Sequence, residues 1–147
     1  MDVKNKNMSK LELPRDEIAF RKIYKDLIIK NKITTVFRPG KRVCGDFRGY
    51  CPGEIIKIRI IEKTGADWAM LPPEFEQDFI RKIEMVEIKS LFIKDLKKED
   101  FEGSSPDVFD KNSLLYHLGI IYNLPVEKLQ DDNLITKITF KYINDLC

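Results

Sequence analysis

The stretch from Ile33 to Ile61, ITTVFRPGKRVCGDFRGYCPGEIIKIRII, limits the fold more than any other, because it sets two strand-forming segments on either side of a loop that cannot pair. Ile33, Thr34, Thr35, Val36 and Phe37 are consecutive β-branched or aromatic residues and predict a strand. Arg38-Pro39-Gly40 is expected to end its ladder, since proline has no N–H to donate and glycine opens positive φ, so the loop is expected to start at Arg38. After Pro52 and Gly53 a second strand is predicted over residues 54–62, where five isoleucines surround Lys57 and Arg59, a pattern buried on one face and partly on the other. Between Arg38 and Tyr50 lie four cations, Arg38, Lys41, Arg42 and Arg48, against the single acid Asp46, with Phe47 and Tyr50 interleaved. That mixture suits a polyanion that carries stackable rings.

Upstream, Leu13-Pro14-Arg15-Asp16-Glu17 predicts a helix start, with proline in the first turn and acids at the positive end of the dipole. Ile18, Phe20, Ile23, Tyr24, Leu27 and Ile28 continue it at helical spacing until Asn31 and Lys32. Downstream, residues 63–79 predict an insertion ending in a short helix through Phe79, and its Trp68 either stacks on a base or plugs one end of a small core. Residues 82–96 are long enough for two strands or one bulged strand, with Ile83, Met85, Ile88, Leu91 and Ile93 inward. A short helix over 96–102 is stopped by Gly103, and Ser104-Ser105-Pro106-Asp107 forms a turn. A helix capped by Asp110 or Asn112 buries Leu114, Leu115, Leu118, Ile121 and Tyr122 and ends near Asn123, and a closing strand alternates from Leu134 to Ile143. Helix, strand, basic loop, strand, strand, helix, strand is no βαβ series; it predicts an α+β fold on a small, mostly antiparallel β-barrel with flanking helices.

A length of 147 residues fits one domain, expected over 13–147 behind a polar leader, 1–12, that lacks the apolar core of a secretory signal. No stretch approaches the ~20 apolar residues of a membrane span, so no membrane contact and a cytoplasmic location are expected. Residues 1–59 carry 15 Lys and Arg against 7 Asp and Glu, leaving +8, whereas residues 60–147 carry −6, so the positive pole lies with the central loop. Cys44, Cys51 and Cys147 cannot all pair, and six residues separate the first two, so reduced thiols are expected. These cysteines and His117 match no zinc spacing, and Gly40 and Gly45 precede no GK[ST], so neither metal nor cofactor is expected. His117 is the single histidine, mid-helix, and reads as a hydrogen-bonded residue at the core edge rather than the base of a hydrolase.

NKITTVFRP, Cys51-Pro52-Gly53-Glu54, LKKEDFEG, the Ile121-Tyr122 helix end and the last strand ITFKYI together resemble the ASCH domains of the PUA-like superfamily. The resemblance is carried by the stretch NKITTVFRP, similar to the family's Gly-x-Lys-Thr and the strand ending in Arg, and by Cys51-Pro52-Gly53-Glu54 opening the second strand, where the family has Gly-Asp. LKKEDFEG, the helix ending in Ile121-Tyr122 and the last strand ITFKYI match as well, so nearly all the chain beyond Glu12 is covered. The resemblance implies a PUA-like β-barrel with a cleft between barrel and helices that binds RNA or modified nucleosides. Some ASCH proteins hydrolyse acetylated cytidine with a Lys, a Thr and a Glu. Alignment on Arg38 puts Ile33 and Val36 at the Lys and Thr positions, with Asp107 near the acid, and a one-residue slip brings in Lys32 and Thr35.

The expected function is therefore RNA or nucleotide binding by a monomer. Arg38, Lys41 and Arg42 would meet phosphate, Phe47, Tyr50 or Trp68 would stack, and Ser104, Ser105 and Asp107 would bond a base edge. Asp107 could instead cap the following helix. The alternatives are a hydrolase of a modified nucleoside and a protein-interaction module that meets an acidic partner.

Overall fold

Alternation at a period of two decides the first element. In the computed structural model, which describes residues 14, 16–46, 49–63, 74–122 and 133–143, Glu17–Arg21 is a strand, β1, with Ile18 and Phe20 buried and their neighbours half-exposed. The expected helix from Leu13 onward is thus corrected. Ile18 and Phe20 satisfy a strand as well as a helix, and parallel pairing with β3 (Ile55–Lys63), from Glu17 opposite Lys57 to Arg21 opposite Ile61, satisfies the backbone groups. The chain coils only afterwards, through a 3-10 turn (Lys22–Tyr24) and the short helix α1 (Lys25–Ile29), which bury Tyr24 and Ile28. Asn31 at φ 59° stops the helix, its N–H reaching Ile28 O and that of Lys32 reaching Leu27 O.

The next strand, β2, covers Thr35–Pro39, so Arg38 and Pro39 belong to the ladder opposite Thr136 and Ile135, and the loop starts two residues later than expected. Pro39 is tolerated because β2 ends the strand order. A two-residue strand β4 (Glu74–Phe75) adds to β3 in place of the helix expected through Phe79: Phe75 pairs with Ile61, and Glu76 N–H donates to Ile60 O. The long strand β5 (Arg81–Phe92) is single and bulged between Met85 and Glu87, and β6 (Leu134–Tyr142) closes the sheet. The order is β1-β3-β5-β6-β2, antiparallel apart from β1 with β3, and the sheet curls into a half-barrel.

Both faces are covered. Ile18, Phe20, Val36, Ile56, Ile58, Ile60, Ile83, Met85, Ile138 and Phe140 fill one face with Tyr24 and Ile28. Phe37, next to Val36 and so on the opposite face, packs with Ile135, Ile93, Leu96, Phe101 and Val108 beneath helix α2 (Lys111–Tyr122), which supplies Leu114 and Leu118. Each such side chain taken out of water contributes roughly 1.5–3 kcal/mol before its loss of freedom is counted. A 3-10 turn, Lys98–Phe101, leads to Gly103, whose carbonyl accepts from Thr34 N (2.8 Å) and Thr35 N (3.1 Å). Gly103 has φ 82°, and a Cβ there would run into the Thr34 hydroxyl, so the position requires glycine.

Cys44 and Cys51 are joined as a disulfide, which corrects the expectation of reduced thiols. A turn at Val43–Asp46, with Gly49 N–H on Asp46 O (2.9 Å) and Cys51 N–H held by Glu54 (2.5 Å), accompanies a Cα separation of 4.4 Å between the two cysteines. The leader, Phe47, Arg48 and Trp68 lie outside the described residues. No helix among the described residues is long and apolar enough to cross a membrane.

Candidate functional site

β1 and β2 are the two ends of the strand order, and one side chain spans them. Arg38 stands on the Val36 side of β2; its guanidinium donates to Phe37 O (3.1 Å) and across to Ala19 O of β1 (3.2 Å), with its carbon 5.6 Å from the centre of the Phe20 ring. A guanidinium has five N–H donors, so three remain for something else. The loop that follows is fixed at its root by Thr136, which is fully buried, donates to Gly40 O (2.8 Å) and accepts from Arg42 N (2.7 Å). Lys41 is exposed and Arg42 half-buried. Tyr50 is half-buried against the core of Ile18 and Phe20 with its hydroxyl on Glu17 O (2.6 Å), so it braces β1.

The turn before α2 brings its carboxylate to the same end of the molecule. Asp107 Oδ1 accepts from Ser105 Oγ (2.5 Å) and Oδ2 from the Tyr24 hydroxyl (2.7 Å). His117, one helical turn beyond Ser113 on α2, places Nδ1 3.6 Å from Asp107 Oδ2 and Nε2 3.3 Å from the Tyr24 oxygen. Ser104 is used up within the turn, its hydroxyl lying on Phe101 O (2.7 Å) and Val108 O (2.5 Å). Capping falls to Asp110, whose Oδ1 accepts from Ser113 N (2.8 Å) while Ser113 Oγ accepts from Phe109 N and Asp110 N. Asp107 is thus released from capping.

The charges follow from these contacts. Burial raises the Asp107 carboxyl, but the hydrogen bonds from Ser105 and Tyr24 and the nearby imidazole outweigh it and hold it below 3.8. Burial, with the carboxylate it donates to, pushes the Tyr24 phenol well up. Burial pushes His117 below 6.5; Asp107 opposes this, and the positive charges of Arg38 and Arg21 reinforce it. At neutral pH the site therefore holds an ionised carboxylate, a neutral phenol and imidazole, and two guanidiniums in the same field. Arg21 has no hydrogen-bond or ion-pair partner among the described residues.

Of the residues picked from sequence, Arg38, Ser105 and Asp107 come to one end of the sheet, with Lys41 and Arg42 on the adjoining loop; Ser104 and Tyr50 are engaged in the scaffold. Three were missed. Tyr24 read as part of an apolar helix face, His117 as a core-edge residue, and Arg21 carried no signal. Tyr24 lies 83 residues from Asp107 and 93 from His117, and only the rarity of histidine in the chain hinted at the cluster. Ile33 and Val36, at the positions of the hydrolytic Lys and Thr in the resemblance, are buried core residues; Lys32 is exposed and Thr35 buried. Among the described residues no group of three His, Cys, Asp or Glu is placed to hold a metal ion.

A curled, mostly antiparallel half-barrel with two helices is an α+β architecture consistent with a PUA-like fold. Within that class the fold is ASCH-like. Protein EF3133 from Enterococcus faecalis V583, described under the family model DUF984, superposes with a TM-score of 0.56 at 10% identity over 97% of this chain and 91% of its own. An ASCH domain from Lactobacillus crispatus JV V101 does so with a TM-score of 0.52 at 11% identity over 95% and 90%. At such identities the likeness is one of fold. No protein-family model and no curated protein sequence matches the chain.

Proposed function

We propose that this protein binds RNA or a nucleotide at the junction of β1 and β2. The observation that carries this reading is that an anchored Arg38 with donors to spare and an ionised Asp107, its side chain 46% exposed, are both near enough to His117 to act on its charge. A phosphate needs the first and a base edge the second. Lys41 and Arg42 extend the positive surface along the loop, and the ASCH-like fold agrees with such a role.

A salt titration of RNA binding tests it. Replacing Arg38, Lys41 and Arg42 together by Ala should weaken binding and flatten the dependence of log affinity on log salt by up to about three contacts, at roughly 0.7–0.9 each. An unchanged slope in a variant that still melts cooperatively would remove the phosphate contacts. In the same preparation no release of acetate from acetylated cytidine is expected, since Ile33 and Val36 offer no nucleophile or base; release abolished by Asp107→Ala would make the protein a hydrolase instead.

A further inference from the structure

The Asp107 carboxylate has an unusual set of partners. Neutral hydroxyls, Ser105 on Oδ1 and Tyr24 on Oδ2, fix its plane from either side, and no Lys or Arg among the described residues forms an ion pair with it. A carboxylate has about four acceptor positions, and although His117 Nδ1 lies 3.6 Å from Oδ2, the side chain is 46% exposed, which leaves its outer edge open to further donors. Two parallel oxygens on a half-exposed group, held in a fixed plane, match a planar ligand with two adjacent N–H donors.

Two common chemical groups present such a pair: the guanidinium of an arginine and the Watson–Crick edge of guanine, N1–H beside N2–H. The surroundings separate them. Arg38 donates to Ala19 O on β1, and His117, whose Nδ1 lies 3.6 Å from the Asp107 carboxylate, feels the positive charge of both Arg38 and Arg21. A cationic guanidinium entering there would be repelled, whereas a neutral base attached to a phosphate gains from both arginines. The other bases fit less well. Adenine and cytosine set a ring acceptor beside their amino group, and uracil flanks its one N–H with two carbonyls, so each would turn a lone pair toward a carboxylate oxygen.

We propose that Asp107 reads the two-donor edge of a guanine nucleotide, its plane set by Ser105 and Tyr24, while the phosphate is held by Arg38 and Arg21. This rests on the nucleotide-binding reading above and specifies its ligand. Ser105 and Tyr24 are positioning residues in this scheme.

Calorimetric titration with GMP, IMP, AMP, CMP, UMP and XMP tests it, with six-nucleotide RNAs carrying one guanosine or one inosine run in parallel. GMP, or the guanosine RNA, should bind about tenfold or more tightly than its inosine counterpart, which lacks the N2 donor, and more tightly than the remaining bases. Asp107→Asn should lose the preference for GMP and move it to XMP, because the amide N–H now meets the xanthine carbonyl. Tyr24→Phe should weaken GMP more than AMP, a difference that general destabilisation does not produce. If nucleotides bind but guanine is not preferred, or if Asp107→Asn weakens every base alike, the edge assignment fails and nucleotide binding stands. If none of the mononucleotides or RNAs binds, both fail.

Discussion

Asp100 and Asp107 sit seven residues apart in one irregular segment, both with carboxyls held below their ordinary range, and they do opposite jobs. Asp100 is closed off: Lys137 of β6 reaches it at 2.9 Å, Lys97 N–H at 2.7 Å, and the two charged side chains are only 14% and 13% exposed. That pair ties the 3-10 turn to the sheet. Asp107 is open, bonded to hydroxyls and facing solvent on one side. Depressed ionisation alone therefore does not mark a ligand site; what distinguishes Asp107 is charge without a Lys or Arg partner among the described residues.

The comparison can be broken first at the hinge between them. Gly103→Ala forces a side chain into positive φ and against Thr34, and should cost about 2–3 kcal/mol, read as a melting temperature lower by roughly 6 °C. Because Gly103 O also holds Thr34 and Thr35 N–H at the entry to β2, ligand affinity should fall with it.

Next in size, Asp100→Ala should cost roughly 1.5 kcal/mol, since it strands the largely buried Lys137 ammonium, while leaving the affinity of the folded protein for ligand unchanged. Asp107→Ala should reverse the pattern, with less than ~1 kcal/mol in thermal unfolding and a large loss in calorimetric binding. If both variants lose stability and neither loses binding selectively, the two carboxylates are equivalent and the distinction is wrong.

The smallest effect is in pH. His117 is depressed in the folded state, so between its folded value and 6.5 the unfolded chain binds more protons, and stability falls as pH drops through that window. Asp107 and Asp100, also depressed, contribute stability that is complete above 3.8 and lost as pH falls through their folded values. Acid unfolding should therefore show a shallow upper step and a lower one. His117→Gln should remove the upper step and keep the lower; an unaltered profile would mean the imidazole is not held neutral by its surroundings.

Much of the scaffold was legible because period and punctuation agree there. The β-branched alternation of β3 and β6, the length of β5 with its bulge, the stop at Gly103 and the Leu114–Leu118 face of α2 all follow from local patterns. Residues 17–21 were not legible, since Ile18 and Phe20 fit either period and a partner strand 40 residues away made the choice. The disulfide likewise depends on turns that bring two cysteines together across a loop, which spacing does not reveal.

For the site, sequence alone placed the basic loop behind β2 and the Ser-Ser-Pro-Asp turn ahead of α2, because turn-forming residues and charge are local properties. That Asp110 takes the cap and leaves Asp107 free, that Tyr24 turns its hydroxyl toward it, and that Arg38 crosses to β1 were decided only by the curl of the sheet. Curling sets groups 19 to 93 residues apart within hydrogen-bond reach, and contacts at that separation depend on how strand ends meet in space, which no run of neighbouring residues encodes.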